Sequence, residues 1–343
     1  MSVQGKSPMS DRDPRLVLNT APFLRVDVTT PGIMRDVILS TVPVIAVSTW
    51  IFGPSALLVV LAAVVGACGV EWLFSKQGFK VLLDGSALLT GILLGLTLPP
   101  GIPMWMAFLG GLAGVGLGKV IWGGLGHNLF NPALVGRAFL QAAFPITLTT
   151  WMKPLSGADW FHLGGGTLAL PFMQPSVEVI SSATPMGLQK FQHELTPVLS
   201  MFTGDIGGSL GETSAIVIVL AGVYLLWRRA VDWRIPASII LTVVVFSTVL
   251  WLVNPALRPP PTFALFSGGL LFGAIYMATD PVTSPTSPLG AWIFGAGIGF
   301  LVVLIRQFGG LPEGVMYAIL LMNAASPLIE RFTQPRVFGR GKR

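Results

Sequence analysis

Gly91-Ile-Leu-Leu-Gly95-Leu-Thr-Leu-Pro99-Pro100 decides how the rest of this chain is read. It closes an apolar segment, 86–98, that falls well short of the about 20 helical residues needed to cross about 30 Å of hydrocarbon. Two prolines then stop it. Irregular backbone at membrane depth survives only where it faces protein or a cavity, so a broken apolar segment marks a place to look for a site. The stretch has a counterpart in Gly269-Leu-Leu-Phe-Gly273-Ala-Ile-Tyr-Met-Ala-Thr-Asp280-Pro281, which repeats its glycine spacing. Each is followed by a Gly-rich span and a basic residue shortly before Gly-Gly-Leu: Lys119 before Gly123-Gly124-Leu125, and Arg306 before Gly309-Gly310-Leu311.

Working outward, apolar segments cover 37–52, 55–74, 86–98, 104–122 and 131–144, then 213–227, 235–253, 263–278, 289–305 and 314–329. Five lie on each side of one long polar interruption. Five is odd, so two matching halves must run through the bilayer in opposite senses. The pattern predicts an all-α polytopic membrane protein. It has about ten transmembrane segments, arranged as two inverted five-helix repeats with broken helices, plus one long extracytoplasmic loop. That is a transporter architecture. Chance similarity among Gly-rich spans is the alternative. The expected domains are a cytoplasmic N-terminal tail (1–35), a first membrane repeat (36–144), the extracytoplasmic loop (145–211), a second repeat (212–330) and a basic cytoplasmic tail (331–343).

Composition agrees. The 343 residues are 52% hydrophobic and only 10% charged, with a mean hydropathy of +0.75, against about 25% charged in soluble domains. The 41 glycines suit close helix packing in lipid. The net charge of +6 is no nucleic-acid footprint, because the basic residues lie in short segments and tails. Arg12, Arg15, Arg25, Arg35, Lys76, Lys80, Lys119, Arg228, Arg229, Arg234, Arg331, Arg336, Arg340, Lys342 and Arg343 all fall on one side. The opposite loops hold few (Lys153, Lys190, Arg258, Arg306), and the turns at Gly53-Pro54 and 99–103 hold none. The positive-inside rule puts both termini in the cytoplasm and 145–211 outside. No cleavable signal peptide is visible in the polar, basic 1–35 segment. Cys68 is the single cysteine, so it forms no internal disulfide and holds no iron–sulfur cluster alone. His127, His162 and His193 lack metal-site spacing. Redox chemistry would have to come from an organic cofactor or a partner.

Within the loop, Val177-Glu-Val-Ile-Ser181-Ser182-Ala183-Thr184-Pro185-Met-Gly-Leu-Gln-Lys190 has the grammar of a helix start. Thr184 is the N-cap, Pro185 the first helical residue, and an amphipathic turn runs on through Leu188, Phe191 and Leu195. Free N–H groups and the helix dipole suit a phosphate there. One joined covalently to the Thr184 hydroxyl would sit where the backbone already favours negative charge. Alone, the same residues make an ordinary helix cap.

Several stretches taken together carry more. Asp84-Gly-Ser-Ala-Leu-Leu-Thr-Gly, Gly123-Gly-Leu-Gly-His-Asn-Leu-Phe-Asn-Pro-Ala, Gly207-Gly-Ser-Leu-Gly-Glu-Thr-Ser, Ala278-Thr-Asp-Pro-Val-Thr-Ser-Pro and Leu320-Leu-Met-Asn resemble the RnfD/NqrB family. These are membrane subunits of the Rnf and Na⁺-translocating NADH:quinone oxidoreductase complexes. The resemblance covers about 33–329, and the short N-terminus is more like RnfD. It implies that a threonine in a Ser-Gly-Ala-Thr motif carries FMN through a phosphoester bond, made from FAD by an extracytoplasmic flavin transferase. Ala183-Thr184 falls on that motif, with Ser182 where the family usually has Gly and Glu178 near the usual Asp. Ser181, Ser182, Ala183 and Lys190 are then candidate neighbours of the cofactor.

The resemblance also implies a noncovalent riboflavin in the membrane domain, and electron passage through flavins and iron–sulfur centres coupled to Na⁺ or H⁺ movement. The chain would be a subunit of an Rnf-type ferredoxin:NAD⁺ oxidoreductase translocase in a bacterial inner membrane, not catalytic alone. Its partners would be a flavin-bearing extracytoplasmic subunit, iron–sulfur subunits, the flavin transferase and membrane lipid, with no nucleic acid.

Other candidates keep two readings each. Trp151, Trp160, Phe161, Phe172 and Phe191 could pack on an isoalloxazine ring or anchor the loop at the headgroups. The Gly-rich 123–131 stretch lacks a P-loop ending and reads as a re-entrant turn, with Asn128 and Asn131 offering hydrogen bonds. Arg137 is an intramembrane charge, either functional or paired with a carbonyl or an acid such as Asp280. Thr279-Asp280 ends the eighth span, where Asp280 binds a flavin or cation or caps the break. Glu71 and Glu212 read as membrane-boundary residues with interface roles, His162 and His193 as solvated. A flavin-bearing electron carrier is the preferred function, with a redox-free channel or transporter and a structural scaffold as alternatives.

Overall fold

The computed structural model describes residues 29–75, 78–155, 166–171, 181–255 and 257–334. The tails and Trp160, Phe161, His162, Phe172 and Glu178 lie outside them. Helix α1 (Thr30–Phe52) begins where the Thr29 hydroxyl accepts from Gly32 N at 3.3 Å, and α2 (Pro54–Phe74) follows after Gly53. A 3₁₀ turn (Gly78–Asp84) leads at 62° into α3 (Ser86–Leu96). Then come α4 (Met104–Val115), which continues as a π turn (Gly116–Val120), and α5 (Pro132–Ala143).

The loop contributes α6 (Pro145–Thr149), β1 (Trp151–Met152), β2 (Ser181–Ser182), α7 (Pro185–Gly187) with a π turn (Leu188–Gln192), and α8 (Val198–Thr203). A 3₁₀ turn (Leu210–Glu212) precedes α9 (Ala215–Trp227), and α10 (Arg234–Val253) follows. The chain ends with α11 (Pro261–Phe266), α12 (Leu270–Phe272) with a π turn (Gly273–Met277), α13 (Pro288–Phe308) and α14 (Val315–Thr333).

This is a membrane-embedded helical protein. Among the described residues, α1, α2, α10 and α13 are long and apolar enough to cross a bilayer, and the bent 3₁₀–α3 pair makes a fifth. Large apolar side chains such as Trp50, Leu73, Val253 and Phe332 are exposed on its outside, as a lipid-facing surface requires. The expected segment 263–278 is not one helix but α11, α12 and a π turn, separated by Ser267–Gly269. Both breaks turn on a left-handed glycine, Gly85 (φ 77°) before α3 and Gly268 (φ 62°) before α12, a conformation that costs other residues 1–2 kcal/mol or so.

The closest packing is of α2 on α4 and of α10 on α13. Small residues let these backbones touch: a β-carbon on Gly295 would lie 2.7 Å from the Ile235 carbonyl oxygen, and one on Gly299 2.8 Å from that of Ile239. One apolar core runs through both halves. Polar bonds cross between them. The Tyr276 hydroxyl donates to Ser40 O (3.0 Å) and Arg228 pairs with Asp36 at 3.1 Å, while the Ser48 hydroxyl donates to Leu210 O of the loop.

Two sequence expectations need correction. Glu71 is no interface residue: it is buried, and Lys119, itself 2% exposed, donates to it and to the Ser86 hydroxyl. Membrane interiors tolerate such charges only as pairs. The turn after Thr184 ends at Gln192, where His193 takes a left-handed φ of 57°, so Leu195 lies beyond it.

Candidate functional site

Thr184 is buried and caps the start of α7 as its sequence specifies. With φ −68° and ψ 155° its hydroxyl oxygen accepts from Gly187 N at 3.1 Å, and its carbonyl accepts from Leu188 N at 2.9 Å. Ser182 just before it pairs with Trp151 in the two-residue β1–β2 ladder. Leu155 N donates to Ile51 O and Met104 N to Thr167 O, which ties other parts of the loop to the first half.

Two contacts fasten the Thr184 segment to the second half. Met186 is 2% exposed in a small cluster with Met201, Ile206 and Phe263, beside the main core at Phe266, and the Ser267 hydroxyl donates to its sulfur at 2.9 Å. Burying such a side chain contributes about 1.5–3 kcal/mol. The Lys190 ammonium donates to Gly309 O (2.6 Å), Leu311 O (2.7 Å) and Arg306 O (3.0 Å). Those carbonyls close the C-terminal end of α13, where a cation is favoured. Burial lowers the Lys190 pKa from the ordinary lysine value.

Thr184 faces a cavity of about 480 Å³ between the two halves. Ala183, Trp151 and Phe191 line it beside Thr184, and Leu134, Phe272 and Met277 form an apolar wall. Arg137 enters from α5, donating to Thr97 O at 2.7 Å and to Glu313 at 3.2 Å. Its partners are therefore a carbonyl at the end of α3 and an acid, but the acid is Glu313 and not Asp280. Glu212 also lines this cavity and is buried there, which overturns its reading as an interface residue. Glu313 went unnoticed in the sequence because nothing local to its Pro-Glu-Gly turn points to an arginine 176 positions away.

The other candidates gather elsewhere. Asn128, Asn131, Thr279 and Asp280 line a second chamber of about 70 Å³, together with Lys119, Ser86 and Tyr276. Asn131 caps α5 by accepting from Ala133 N (3.0 Å) and donates to Met277 O (3.1 Å). With its amide nitrogen donating to Ile319 O, Asn323 accepts from Asn131 N at 3.1 Å. Asp280 accepts from Val282 N (3.3 Å) and from the Thr283 hydroxyl (3.2 Å), and so caps the turn after the break. Thr279 bonds back to Ile275 O at 2.6 Å. The ten candidates thus divide: Thr184, Ala183 and Arg137 in the larger cavity, Lys190 clamping its edge, Ser181 and Ser182 on β2, and four residues in the smaller chamber. Among the described residues no group of His, Cys, Asp and Glu could hold a metal ion.

A family model described as NQR2, RnfD, RnfE matches residues 17–339. The D subunit of the proton-translocating ferredoxin:NAD(+) oxidoreductase complex of Clostridium ljungdahlii is 38% identical over 94% of this chain and 96% of its own length. The D subunit of the ion-translocating oxidoreductase complex of Stutzerimonas stutzeri is 41% identical over 91% and 92%. The protein of the same name from Yersinia enterocolitica is 38% identical over 93% and 97%.

Proposed function

The chain belongs to the NQR2, RnfD, RnfE family, and from that premise we propose that it is the membrane subunit of an Rnf-type ion-translocating oxidoreductase, carrying FMN covalently on Thr184. Electrons pass between flavins within the complex, coupled to Na⁺ or H⁺ translocation. The complex is the ferredoxin:NAD⁺ oxidoreductase translocase, and this subunit is not catalytic alone. One observation supports the flavin above the rest: the buried Thr184 lines a cavity of about 480 Å³, within the roughly 300–1,000 Å³ of small-molecule sites.

The cavity's donor set fits FMN. Trp151 and Phe191 offer aromatic side chains, Leu134, Phe272 and Met277 an apolar wall, and Arg137, paired with Glu313, hydrogen-bond donors. The flavin when bound supplies the electron transfer itself. Thr184 holds it, and a tether keeps its effective concentration against a partner flavin independent of dissociation. Lys190 and Met186 hold Thr184 in place, and Glu313 with the Thr97 carbonyl aims Arg137. Riboflavin as a second, noncovalent flavin rests on family membership. The 70 Å³ chamber of Asn128, Asn131, Thr279 and Asp280 is too small for a three-ring flavin in this conformation.

The proposed setting is a bacterial inner membrane, with about ten spans as two inverted repeats, both termini cytoplasmic and the 145–211 loop periplasmic. Matching helix pairs, α2–α4 and α10–α13, pack most closely in each half, which supports the repeat. So do the glycine-turned breaks before α3 and α12, each bonded by a buried cation, Lys119 at Ser86 and Arg306 at Ser267 O. The proposed partners are the iron–sulfur subunits, an extracytoplasmic flavin subunit and the flavin transferase. The test is in-gel fluorescence of the denatured protein, expressed with and without the transferase. A band that needs the transferase and vanishes in Thr184→Ala is expected. Covalent flavin persisting in Thr184→Ala would overturn the assignment, and a dark band throughout would favour a redox-free channel or a scaffold.

A further inference from the structure

Thr184 poses a problem of access. It is buried, and it lines a cavity of about 480 Å³ walled by helices of both halves. A single cofactor enters a chamber of that size. A modifying protein does not, since it must bring a dinucleotide and its own catalytic groups to the same oxygen. Among the described residues, three contacts help to hold the segment that carries Thr184. Its N-terminal side is a two-residue strand, Ser181–Ser182, on β1. Met186 sits in a socket of Met201, Ile206 and Phe263, which meets the main core through Phe266. Lys190 rests on three carbonyls at the end of α13. Beyond Gln192 the chain reverses at His193 and runs irregularly to Pro197. None of these three contacts joins one spanning helix to another.

We propose that Thr184 is modified while residues 181–192 stand away from the helices, and that Met186 and Lys190 then latch the loaded segment over the cavity. This rests on the reading of Thr184 as the flavin attachment residue. In the undocked state the hydroxyl oxygen bonds to the phosphorus on the riboflavin side of the FAD pyrophosphate. The bond between the two phosphates breaks, AMP leaves, and the hydroxyl proton passes to a base of the transferase. No oxidation or reduction is involved. The rate of modification then scales with the undocked fraction, because only that state is competent.

The experiment is a time course of covalent flavin fluorescence in purified full-length apoprotein, given transferase and FAD. It is paired with amide hydrogen exchange over 181–192 before transferase is added. Met201→Ala and Phe263→Ala open the socket from its far side and leave unchanged the residues that the transferase handles. Both should load roughly fivefold faster to the wild-type end point, with faster exchange over 181–192. Wild-type or slower loading in both, at a normal end point, overturns the latch and leaves the Thr184 assignment standing. No fluorescence in the wild type sinks that assignment instead. Should the socket variants fail to fold, Lys190→Met decides by exchange alone: protection of 181–192 equal to wild type overturns the proposal.

Discussion

Arg137 and Glu313 stand 176 positions apart in the chain and meet at 3.2 Å in the wall of the larger cavity. One belongs to the first half, on α5, and the other to the turn between α13 and α14. Both side chains are largely buried, at 13% and 19% exposure. The pair therefore stands in the wall that Thr184 also lines and braces one half against the other. Removing the arginine alone leaves a carboxylate poorly solvated. Arg137→Met should cost about 3 kcal/mol of stability, and adding Glu313→Gln should restore part of it. A double-mutant cycle on thermal unfolding in detergent checks this, and a coupling energy near zero would remove the brace from the account.

The deeper pair is Lys119 with Glu71, whose second carboxylate oxygen has no hydrogen-bond partner among the described residues. Lys119→Met should lose about 3–5 kcal/mol, because it leaves a buried acid without its cation. Glu71→Gln keeps an acceptor for the ammonium and should lose less. The two unfolding temperatures are the measurement, and wild-type stability in both variants would contradict the burial of this pair.

Packing of α10 on α13 makes a steric prediction. Gly299→Ala would place a β-carbon 2.8 Å from the Ile239 carbonyl oxygen, and should destabilise by about 1–3 kcal/mol through overpacking. Gly310→Ala meets nothing within 4 Å and should stay within about 0.5 kcal/mol of wild type. Equal unfolding temperatures for the two variants would show that α10 and α13 do not approach this closely.

At the cap of α7, Thr184→Ser retains both a hydroxyl and the bond from Gly187 N, so it should load flavin and keep the local fold. Thr184→Ala should remove covalent flavin entirely and weaken the α7 start by about 1 kcal/mol. Amide exchange at Gly187 separates the two effects. Equal protection in both variants would mean that the cap contributes nothing.

Much of the site was written locally. Thr184-Pro185 predicted an N-cap with proline at the first helical position, and the structure has that cap, because capping is decided by one side chain and the next three residues. Leu195 failed as a helical residue because the left-handed His193 ends the turn first. Glu71 and Glu212 looked like boundary residues because they stand near the ends of apolar runs. Burial depends on what packs over those ends, which no short window of sequence contains.

Hydropathy and charge along the chain determined that it is helical and embedded in a membrane, since transfer of apolar side chains into lipid is a property of each segment by itself. Only the tertiary structure decided that Arg137 meets Glu313, that Lys190 caps α13, and that seven of the ten candidates divide between two chambers. Those pairings join residues from different halves, or from the loop and a half. They exist because close-packed helices exclude water, so each buried charge must find whatever partner the packing brings within reach.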